Sequence, residues 1–416
     1  MILDLTDMLY ALSYALDKVE EELLGIDTGH GKRVAYLALL MGEEAGFREE
    51  ELRDFIGCCL LHDNALTEYI HEELASNPMS QLISVKLSDF SEPKWAKMEH
   101  HHSVIGEENL RLLPFRTDVK NIILFHHENA DGSGAMGTTA SETTLKSQIL
   151  HLADLADMTR HLATMTHTEF EELRGWVQSK GGSLFSQEAV ELFLKAVTYD
   201  KIVPLQNNNG LLSCLHEGLH AEIIDYSDEE IRNIAGLFAK IVDYKPEFTQ
   251  NHSRGVAEKA EMMARYYGFD DEKEIRYYFA GAMHDIGKLM VVNDILEKPG
   301  KLTASEFSEM KNHAAATRYI LSQIKEIPDI VDWAANNHEK LNGTGYPQGL
   351  TADELSFEER LMACIDIYQA LTEKRPYKDG MSHEQSISIL LDMAHKGELD
   401  ESIVQDIDSV MSNNEQ

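Results

Sequence analysis

Several residue types are scarce in this sequence, and each scarcity excludes a class of protein. The 416 residues include only four cysteines, and no two of them form a CxxC pair. A disulfide framework or a zinc–thiolate site is therefore not expected, and the cysteine usage fits a reducing, cytoplasmic environment. No apolar run approaches the roughly 20 residues that a membrane-spanning helix needs. The first residues lack the basic segment that opens a signal peptide.

Positive charge is also scarce. The 37 Lys and Arg residues are outnumbered by 72 Asp and Glu residues, which gives a formal net charge of −35 at pH 7. Such a field repels nucleic acid polymers and anionic membranes, so neither is an expected partner. A phosphate-bearing ligand needs local positive charge from bound metals or from a few placed Lys or Arg residues. Over most of the surface, the excess of negative charge is sufficiently explained by its contribution to solubility.

The sequence does contain one set of potential metal ligands twice. The second copy consists of His252, His284, Asp285, His313, His338 and Asp366. The first copy has the same order, with His30, His62, Asp63, His102, His127 and Asp154. The step from the lone His to the His-Asp pair is 32 residues in both copies, and the step from the third to the fourth His is 25 in both. The spacing therefore predicts a duplicated domain that contains a metal site.

Helical periodicity dominates the chain. Val256, Ala260 and Met263 form an apolar stripe at helical spacing, and segments that alternate apolar and polar residues are rare. We therefore predict an all-α fold of two tandem helical domains. The predicted divisions are a first domain over residues 1–200, a connector over 201–226 and a second domain over 227–416. The Asn-rich stretch 207–210 gives the clearest break between the domains.

The ligand types indicate which metals to expect. A neighbouring His and Asp, as in His284-Asp285, can converge on a metal beside a helix, and one carboxylate can bridge two cations. Helix bundles commonly hold such sites, with imidazoles from other helices completing the coordination. Iron and manganese suit this mixed ligand set better than structural zinc does. We therefore expect divalent iron or manganese in the second domain, and a bridging carboxylate would allow two such ions.

Several motifs around these ligands resemble those of a known family. Residues 281–288 read GAMHDIGK, residues 295–303 read ILEKPGKLT, residues 338–347 read HEKLNGTGYP, and residues 366–378 read DIYQALTEKRPYK. In this order and spacing, they resemble the HD-GYP domain over about residues 243–411. The resemblance implies an HD-type helical fold and a metal-dependent phosphodiesterase. Its substrate would be a cyclic dinucleotide, either cyclic di-GMP or 3′3′-cyclic GMP-AMP.

The resemblance also implies roles for individual residues. The six ligands of the second copy hold the metals, with Asp285 as the bridging carboxylate. Asp285 and Lys288 are the expected catalytic residues, since Lys288 lies near the scissile phosphate and can stabilise transition-state charge. The expected substrate contacts are Lys288, Arg375, Lys378, Tyr346 and Pro347. Without the resemblance, Arg375 and Lys378 are equally well explained as a solvated surface pair, and the glycine-rich GYP segment as a rigid turn.

Two departures from the family pattern favour a two-metal site over a three-metal site. Asn337 stands where many members have a histidine directly before the ligand His338. Phe248 stands four residues before His252, where three-metal members carry Glu.

The first copy resembles a degenerate version of the same domain. Leu66 stands where the second copy has Lys288, residues 134–136 read GAM at the GYP position, and Ala163 occupies the position of Arg375. Its candidate metal ligands are His30, His62, Asp63, His102, His126, His127 and Asp154. These residues could bind metal or persist for structural reasons. We expect the first domain to support or regulate catalysis through an interaction with the second.

The sequence thus predicts an enzyme that hydrolyses a cyclic dinucleotide to the linear dinucleotide. Two alternatives stay open, which are another HD-type nucleotide phosphohydrolase and a metal- or nucleotide-binding signalling module without turnover. Lys288, Arg375 and Lys378 argue against the second alternative for the second domain. The sequence also leaves four points open. They are whether the protein forms a homodimer, which cyclic dinucleotide it prefers, which metal it binds natively, and whether the product is cleaved further to mononucleotides.

Overall fold

The structure is a computed structural model with side chains. It describes residues 1–24, 29–69, 93–160, 162–206, 208–245, 251–296, 298, 300–374 and 379–412, without the side chains of 23, 24, 93–99, 208 and 209. The described residues are mostly helical, which confirms the predicted all-α fold. The sheet that they form has two strands, Ile2–Asp4 paired with Ile223–Asp225. None of the described helices combines the length and the hydrophobicity needed to cross a bilayer.

The chain divides into two compact units. The N-terminal unit comprises Asp4–Ile223, and the C-terminal unit comprises Ile224–Gln416 together with Met1–Leu3. The chain's first residues join the C-terminal unit because the Met1 amino group donates hydrogen bonds to the backbone oxygen of Tyr226 at 2.8 Å and to Asp225 at 3.1 Å.

The N-terminal unit is built from helices around an apolar core that includes Leu37, Phe55 and Phe193. Its described α-helices are Leu5–Leu24, His30–Glu44, Glu49–Leu60, Pro93–Leu110, Leu145–Arg160, His167–Ser179, Gln187–Ala196, Tyr199–Ile202 and Asn208–Gly218, with 3-10 turns at Leu162–Thr164 and Val203–Gln206. The helix Asn208–Gly218 corrects one expectation, since most of the Asn-rich stretch begins a helix instead of breaking the chain. Asparagine favours helix starts as well as turns, so composition did not separate the two.

The C-terminal unit is also a helical bundle. Its described α-helices are Asp228–Tyr244, His252–Tyr266, Asp271–Met283, Asn293–Leu296, Ala304–Leu321, Pro328–Ala335, Phe357–Thr372, His383–His395 and Glu401–Met411, with a 3-10 turn at Ile286–Met290. The predicted stripe of Val256, Ala260 and Met263 is fully buried. A capping box begins the helix Ala304–Leu321, because the Thr303 hydroxyl and the Glu306 carboxylate each accept a hydrogen bond from the other residue's backbone N–H.

Two glycines allow the close packing that brings the site together. A Cβ atom on Gly281 would lie 2.9 Å from the Cα of Ala257, so the helices that carry these residues pack in direct backbone contact. A Cβ atom on Gly287 would collide with the backbone oxygen of His313. Glycine is therefore required at both positions. It allows the segments that carry Ala257, Gly281 with Gly287, and His313 to come into backbone contact.

Candidate metal centre

The His284-Asp285 pair lies just beyond a helix end. The helix Asp271–Met283 stops before the pair, and the chain continues into a 3-10 turn, whereas the sequence suggested a pair within a helix. Thr317 fixes this turn, since its hydroxyl donates to the backbone oxygen of His284 and accepts from the N–H of Gly287, each at 3.0 Å. The change of helix type is thus stabilised by a neighbouring helix, which local sequence does not reveal.

All six predicted ligands of the C-terminal unit lie close together in two groups. One group is His252, His284 and Asp366, and the other is Asp285, His313 and His338, with the candidate ligand atoms of each group within 4.8 Å of one another. Within the groups, His252 Nε2 lies 3.2 Å from Asp366 Oδ1, and His313 Nε2 lies 2.9 Å from His338 Nε2. Four ligands at metal-binding distance around one cation are separated by about 3.4 Å. The observed separations therefore match two neighbouring metal positions.

Asp285 connects the two groups. Its Oδ2 lies 3.1 Å from His284 Nε2 and 3.7 Å from His252 Nε2, and its Oδ1 lies 3.6 Å from His313 Nε2. One carboxylate therefore offers an oxygen atom to each group. This is the arrangement that a carboxylate bridging two cations requires.

Unpartnered polar atoms show that the donor set fits metal. His284 Nε2 and Asp285 Oδ1 are buried and make no hydrogen bond within the described part of the chain. The Nδ1 atoms of His284 and His313 pair with the backbone oxygens of Gly281 and Met310 at 2.7 Å each, which leaves both Nε2 atoms for a ligand. Buried polar atoms without partners are unfavourable, and a bound cation would satisfy them.

Four of the six candidate ligands have protonation states that suit metal ligation. Burial lowers the pKa of His313 to about 4 and lowers the pKa of His338, so both rings are neutral at pH 7. Burial would raise the pKa of Asp285, but the charges of His284 and Lys288 outweigh it and hold that pKa well below its usual range. Likewise, the hydrogen bond with His252 and nearby histidine charges outweigh burial and lower the pKa of Asp366. Both carboxylates are therefore ionised.

Glu373 orients His252, and the sequence analysis did not identify it. Its Oε2 lies 3.2 Å from Nδ1 of His252, which directs Nε2 of the ring towards the ligand group. Burial would lower the pKa of His252, but the hydrogen bonds with Asp366 and Glu373 raise it to about 9. The available sequence signal was the spacing of seven residues from Asp366 to Glu373, which corresponds to two helical turns.

Lys288 lies beside the bridging carboxylate, with its Nζ in contact with Oδ2 of Asp285. The two residues are three apart, and side chains at this spacing are aligned in a 3-10 turn. Burial would lower the pKa of Lys288, but the charge and hydrogen bond of Asp285 outweigh it and raise that pKa. Lys288 therefore stays positively charged next to the metal positions.

The GYP segment packs against the second ligand group. The Tyr346 ring lies with its centroid 4.8 Å from that of His338, and Pro347 follows across a cis peptide bond. The buried carboxylate of Glu339 anchors the loop by accepting hydrogen bonds from the backbone N–H groups of Gln348, Gly349 and Leu350 at 2.6, 3.0 and 2.9 Å. The loop therefore has a fixed shape beside the ligands.

The predicted substrate contacts fall into two classes. Lys288 and Tyr346 lie at the ligand cluster, with Pro347 next in the chain. Arg375 and Lys378 lie outside the described residues, as does Phe248. The roles of Arg375 and Lys378 therefore remain predictions from the sequence.

The N-terminal unit repeats the cluster. One group is His30, His62 and Asp154, and the other is Asp63, His102, His126 and His127, so all seven predicted candidates come together. Oδ2 of Asp63 lies 3.6 Å from His62 Nε2, and its Oδ1 lies 3.3 Å from His102 Nε2. A carboxylate between two groups is therefore common to both units.

The loop after the N-terminal cluster also keeps its anchor. The Glu128 carboxylate accepts hydrogen bonds from the N–H groups of Met136 at 2.6 Å and Thr138 at 2.5 Å. Gly134 matches Gly345, because a Cβ atom on either would collide with the backbone that follows the last His ligand. The loop has thus kept its support and lost its tyrosine and proline.

Comparisons with known proteins give matches to both units of the chain. Family models described as HD domain match residues 28–159 and 236–403. The 3′3′-cGAMP-specific phosphodiesterase 1 of Vibrio cholerae is 28% identical over 421 residues, which cover 99% of this chain and 92% of that protein. The 3′3′-cGAMP-specific phosphodiesterase 3 of the same organism is 27% identical, with 94% of this chain and 91% of that protein covered.

A relative that matches a shorter part of the sequence and a solved structure with a similar fold were also found. A cyclic di-GMP phosphodiesterase of Pseudomonas aeruginosa is 37% identical over 142 residues, 34% of each chain. A crystal structure of a cyclic GMP-AMP specific phosphodiesterase of Vibrio cholerae has the same fold, with a TM-score of 0.66 and 23% identity over 99% of this chain and 98% of that one.

The helical fold and the repeated His/Asp clusters define a tandem HD-domain protein. Within that class, the chain belongs to the HD-GYP phosphodiesterase family, a family of hydrolases, which confirms the resemblance drawn from its motifs.

Proposed function

We propose that this chain is a metal-dependent phosphodiesterase that hydrolyses a cyclic dinucleotide to the linear dinucleotide, with catalysis in the C-terminal unit. The position of Asp285 carries the proposal, since its carboxylate lies between two ligand groups and contacts Lys288. The N-terminal unit has the corresponding carboxylate, Asp63, but has Leu66 in place of the lysine. Phosphate chemistry is therefore assigned to the C-terminal unit.

The proposed cofactors are two divalent cations, iron or manganese. Their ligands would be His252, His284, Asp285, His313, His338 and Asp366. When bound, such ions lower the pKa of a coordinated water and stabilise charge on phosphate oxygens. The neutral rings of His313 and His338 and the ionised carboxylates of Asp285 and Asp366 are the forms that bind metal.

The chain's own residues position the substrate phosphate. In the hydrolysis, a water oxygen forms a bond to phosphorus, the bond to one ribose oxygen breaks, and that oxygen takes a proton. Lys288 stabilises the negative charge that develops on the phosphate, and its contact with Asp285 holds the ammonium group in place. The anchored loop keeps Tyr346 at the edge of the cluster, where the ring contacts the substrate. Arg375 and Lys378 hold the substrate phosphates in this proposal.

Among cyclic dinucleotides, 3′3′-cyclic GMP-AMP is the first candidate. Two relatives with this specificity in their names match more than nine-tenths of this chain, both HD domains included. Relatives named as cyclic di-GMP phosphodiesterases match about a third of it, within one unit's length. The tandem arrangement therefore favours the mixed dinucleotide, with cyclic di-GMP as the second candidate.

The N-terminal unit is assigned a supporting or regulatory role. It keeps the ligand clusters and the loop anchor Glu128, but lacks counterparts of Lys288 and Tyr346. Support would come through an interaction with the C-terminal unit, and a homodimer stays open.

A turnover assay tests the proposal. Purified full-length protein loaded with Mn²⁺ or Fe²⁺ is incubated with 3′3′-cyclic GMP-AMP, cyclic di-GMP and a nucleoside monophosphate, and products are separated by chromatography. Linear dinucleotide from a cyclic substrate is the expected product. Turnover of the monophosphate alone would identify another nucleotide phosphohydrolase, and binding without turnover would identify a signalling module.

A further inference from the structure

An exposed aromatic ring stands near the candidate metal centre of the C-terminal unit. Phe307 lies on the helix Ala304–Leu321, which also carries the predicted ligand His313, and it is 49% exposed. A single exposed apolar residue is common on protein surfaces and by itself indicates nothing. The neighbours of Phe307 therefore decide what its ring can do.

Lys311 connects Phe307 with the GYP loop. It follows Phe307 by four residues on the same helix, and its Nζ lies 5.4 Å from the centroid of the Phe307 ring. The same Nζ lies 5.9 Å from the centroid of the Tyr346 ring, and that ring packs against His338. Lys311 forms no ion pair with the residues that the structure describes, so its ammonium group keeps its hydrogen-bond donors for a ligand.

The N-terminal unit lacks all three of these side chains. Its helix Pro93–Leu110 corresponds to Ala304–Leu321, because both have 18 residues and carry their ligands, His102 and His313, nine residues after the first. The positions of Phe307, Lys311 and Tyr346 are occupied by Ala96, His100 and Ala135. The unit that lacks a counterpart of Lys288 therefore also lacks this exposed ring and this ammonium group, which links them to the function of the C-terminal unit.

A purine base matches the chemistry of the Phe307 ring and the Lys311 ammonium group. An exposed aromatic ring can stack on the face of a base. A lysine ammonium group only donates hydrogen bonds, so it suits a base edge that accepts them. Guanine presents two neighbouring acceptors, O6 and N7, whereas adenine presents N7 beside an amino group that donates. Guanine therefore fits this pair of side chains better than adenine does.

We propose that Phe307 and Lys311 form a base-recognition subsite, in which a guanine of the cyclic dinucleotide stacks on the Phe307 ring and accepts a hydrogen bond from Lys311. The inference rests on the proposed function and adds a contact for the base to it. Lys311 reaches Tyr346, which packs against His338, so the subsite is continuous with the position assigned to the scissile phosphate. Both candidate substrates contain guanine.

Steady-state kinetics of the full-length, metal-loaded protein test the stacking contact, with 3′3′-cyclic GMP-AMP and cyclic di-GMP as substrates. Phe307→Ala should raise KM by about tenfold with a much smaller change in kcat, because the platform for one base is lost. Phe307→Tyr keeps an aromatic ring and should return KM to within about twofold of the unmodified value. Tyr319→Ala removes another ring of the same helix, 53% exposed, and serves as the control. An unchanged KM in Phe307→Ala would overturn the subsite.

Competition between two dinucleotides tests the hydrogen bond from Lys311. Cyclic di-GMP and cyclic di-AMP have the same phosphates and riboses and differ only in their bases, so a contact with the base affects them differently. As inhibitors of 3′3′-cyclic GMP-AMP turnover, cyclic di-GMP should be the stronger in the unmodified protein. Lys311→Met should weaken inhibition by cyclic di-GMP about tenfold and reduce the difference between the two inhibitors.

The outcomes separate this inference from the proposed function. Equal inhibition of the unmodified protein by the two dinucleotides would overturn the guanine contact. Equal weakening of both inhibitors by Lys311→Met would assign Lys311 to a phosphate and overturn it as well. If the unmodified protein turns over no cyclic dinucleotide at all, the proposed function is wrong, and this inference is wrong with it.

Discussion

The ammonium group of Lys288 contacts the carboxylate of Asp285 within the 3-10 turn that follows the helix Asp271–Met283. Because Asp285 also lies between the two ligand groups, this contact places a positive charge where the two metal positions meet. In the N-terminal unit the corresponding residue is the buried Leu66. In the proposed mechanism Asp285 binds metal and Lys288 stabilises phosphate charge, and substitutions can distinguish these two functions.

Replacing Asp285 should abolish turnover, whereas replacing the corresponding Asp63 should not. Asp285→Ala is expected to eliminate hydrolysis and most metal binding of the C-terminal unit, because one residue serves both metal positions. The matched change Asp63→Ala in the N-terminal unit should leave measurable turnover. Steady-state assays with elemental analysis measure both effects, and the exposed Asp294→Ala is the control. Near-normal turnover in Asp285→Ala would show that the site is assigned wrongly.

Lys288→Ala should lose activity while it keeps metal. Loss of one electrostatic contact with the reacting phosphate is expected to lower kcat by on the order of 10²-fold. The metal content should stay at the level of the unmodified protein, because Lys288 is not a ligand. Lys301→Ala removes an exposed lysine of the same unit and serves as the control. If metal is lost and the rate per bound metal is unchanged, the division of roles is wrong.

Arg375→Ala is a separate test of substrate binding. The expected result is unchanged metal content with a loss of activity of about 10²-fold or more, since the guanidinium group is assigned to a substrate phosphate. Kinetic constants and elemental analysis on the same preparation measure this. Unaltered kinetics would instead support the simpler explanation of Arg375 and Lys378 as a solvated surface pair.

The two loop anchors allow a paired comparison. Glu339→Gln and Glu128→Gln each weaken charge-assisted hydrogen bonds from backbone N–H groups to a buried carboxylate. Each change is expected to destabilise its unit by about 1–3 kcal/mol, measured by urea unfolding. Only Glu339→Gln should also reduce turnover strongly, because its loop carries Tyr346. A strong loss of turnover from Glu128→Gln in folded protein would contradict this expectation and show that turnover depends on the N-terminal loop.

The sequence by itself determined the helical class, the family and the duplicated ligand set. Helical periodicity at Val256, Ala260 and Met263 correctly marks a buried helix face, because the pattern depends only on local geometry. The repeated steps of 32 and 25 residues identified which His and Asp residues belong together in each copy. The family and the enzyme class then followed from the motifs around Asp285 and the GYP loop.

Only the tertiary structure decided how these residues face one another. His252 and Asp366 are 114 residues apart, and their contact depends on how two helices pack. The same applies to Glu373 and Asn337, whose partners His252 and Asp366 lie on other segments of the chain. Periodicity specifies which face of a helix is buried but not which helix covers it, so the division of the candidate ligands into two groups emerged only from the folded chain.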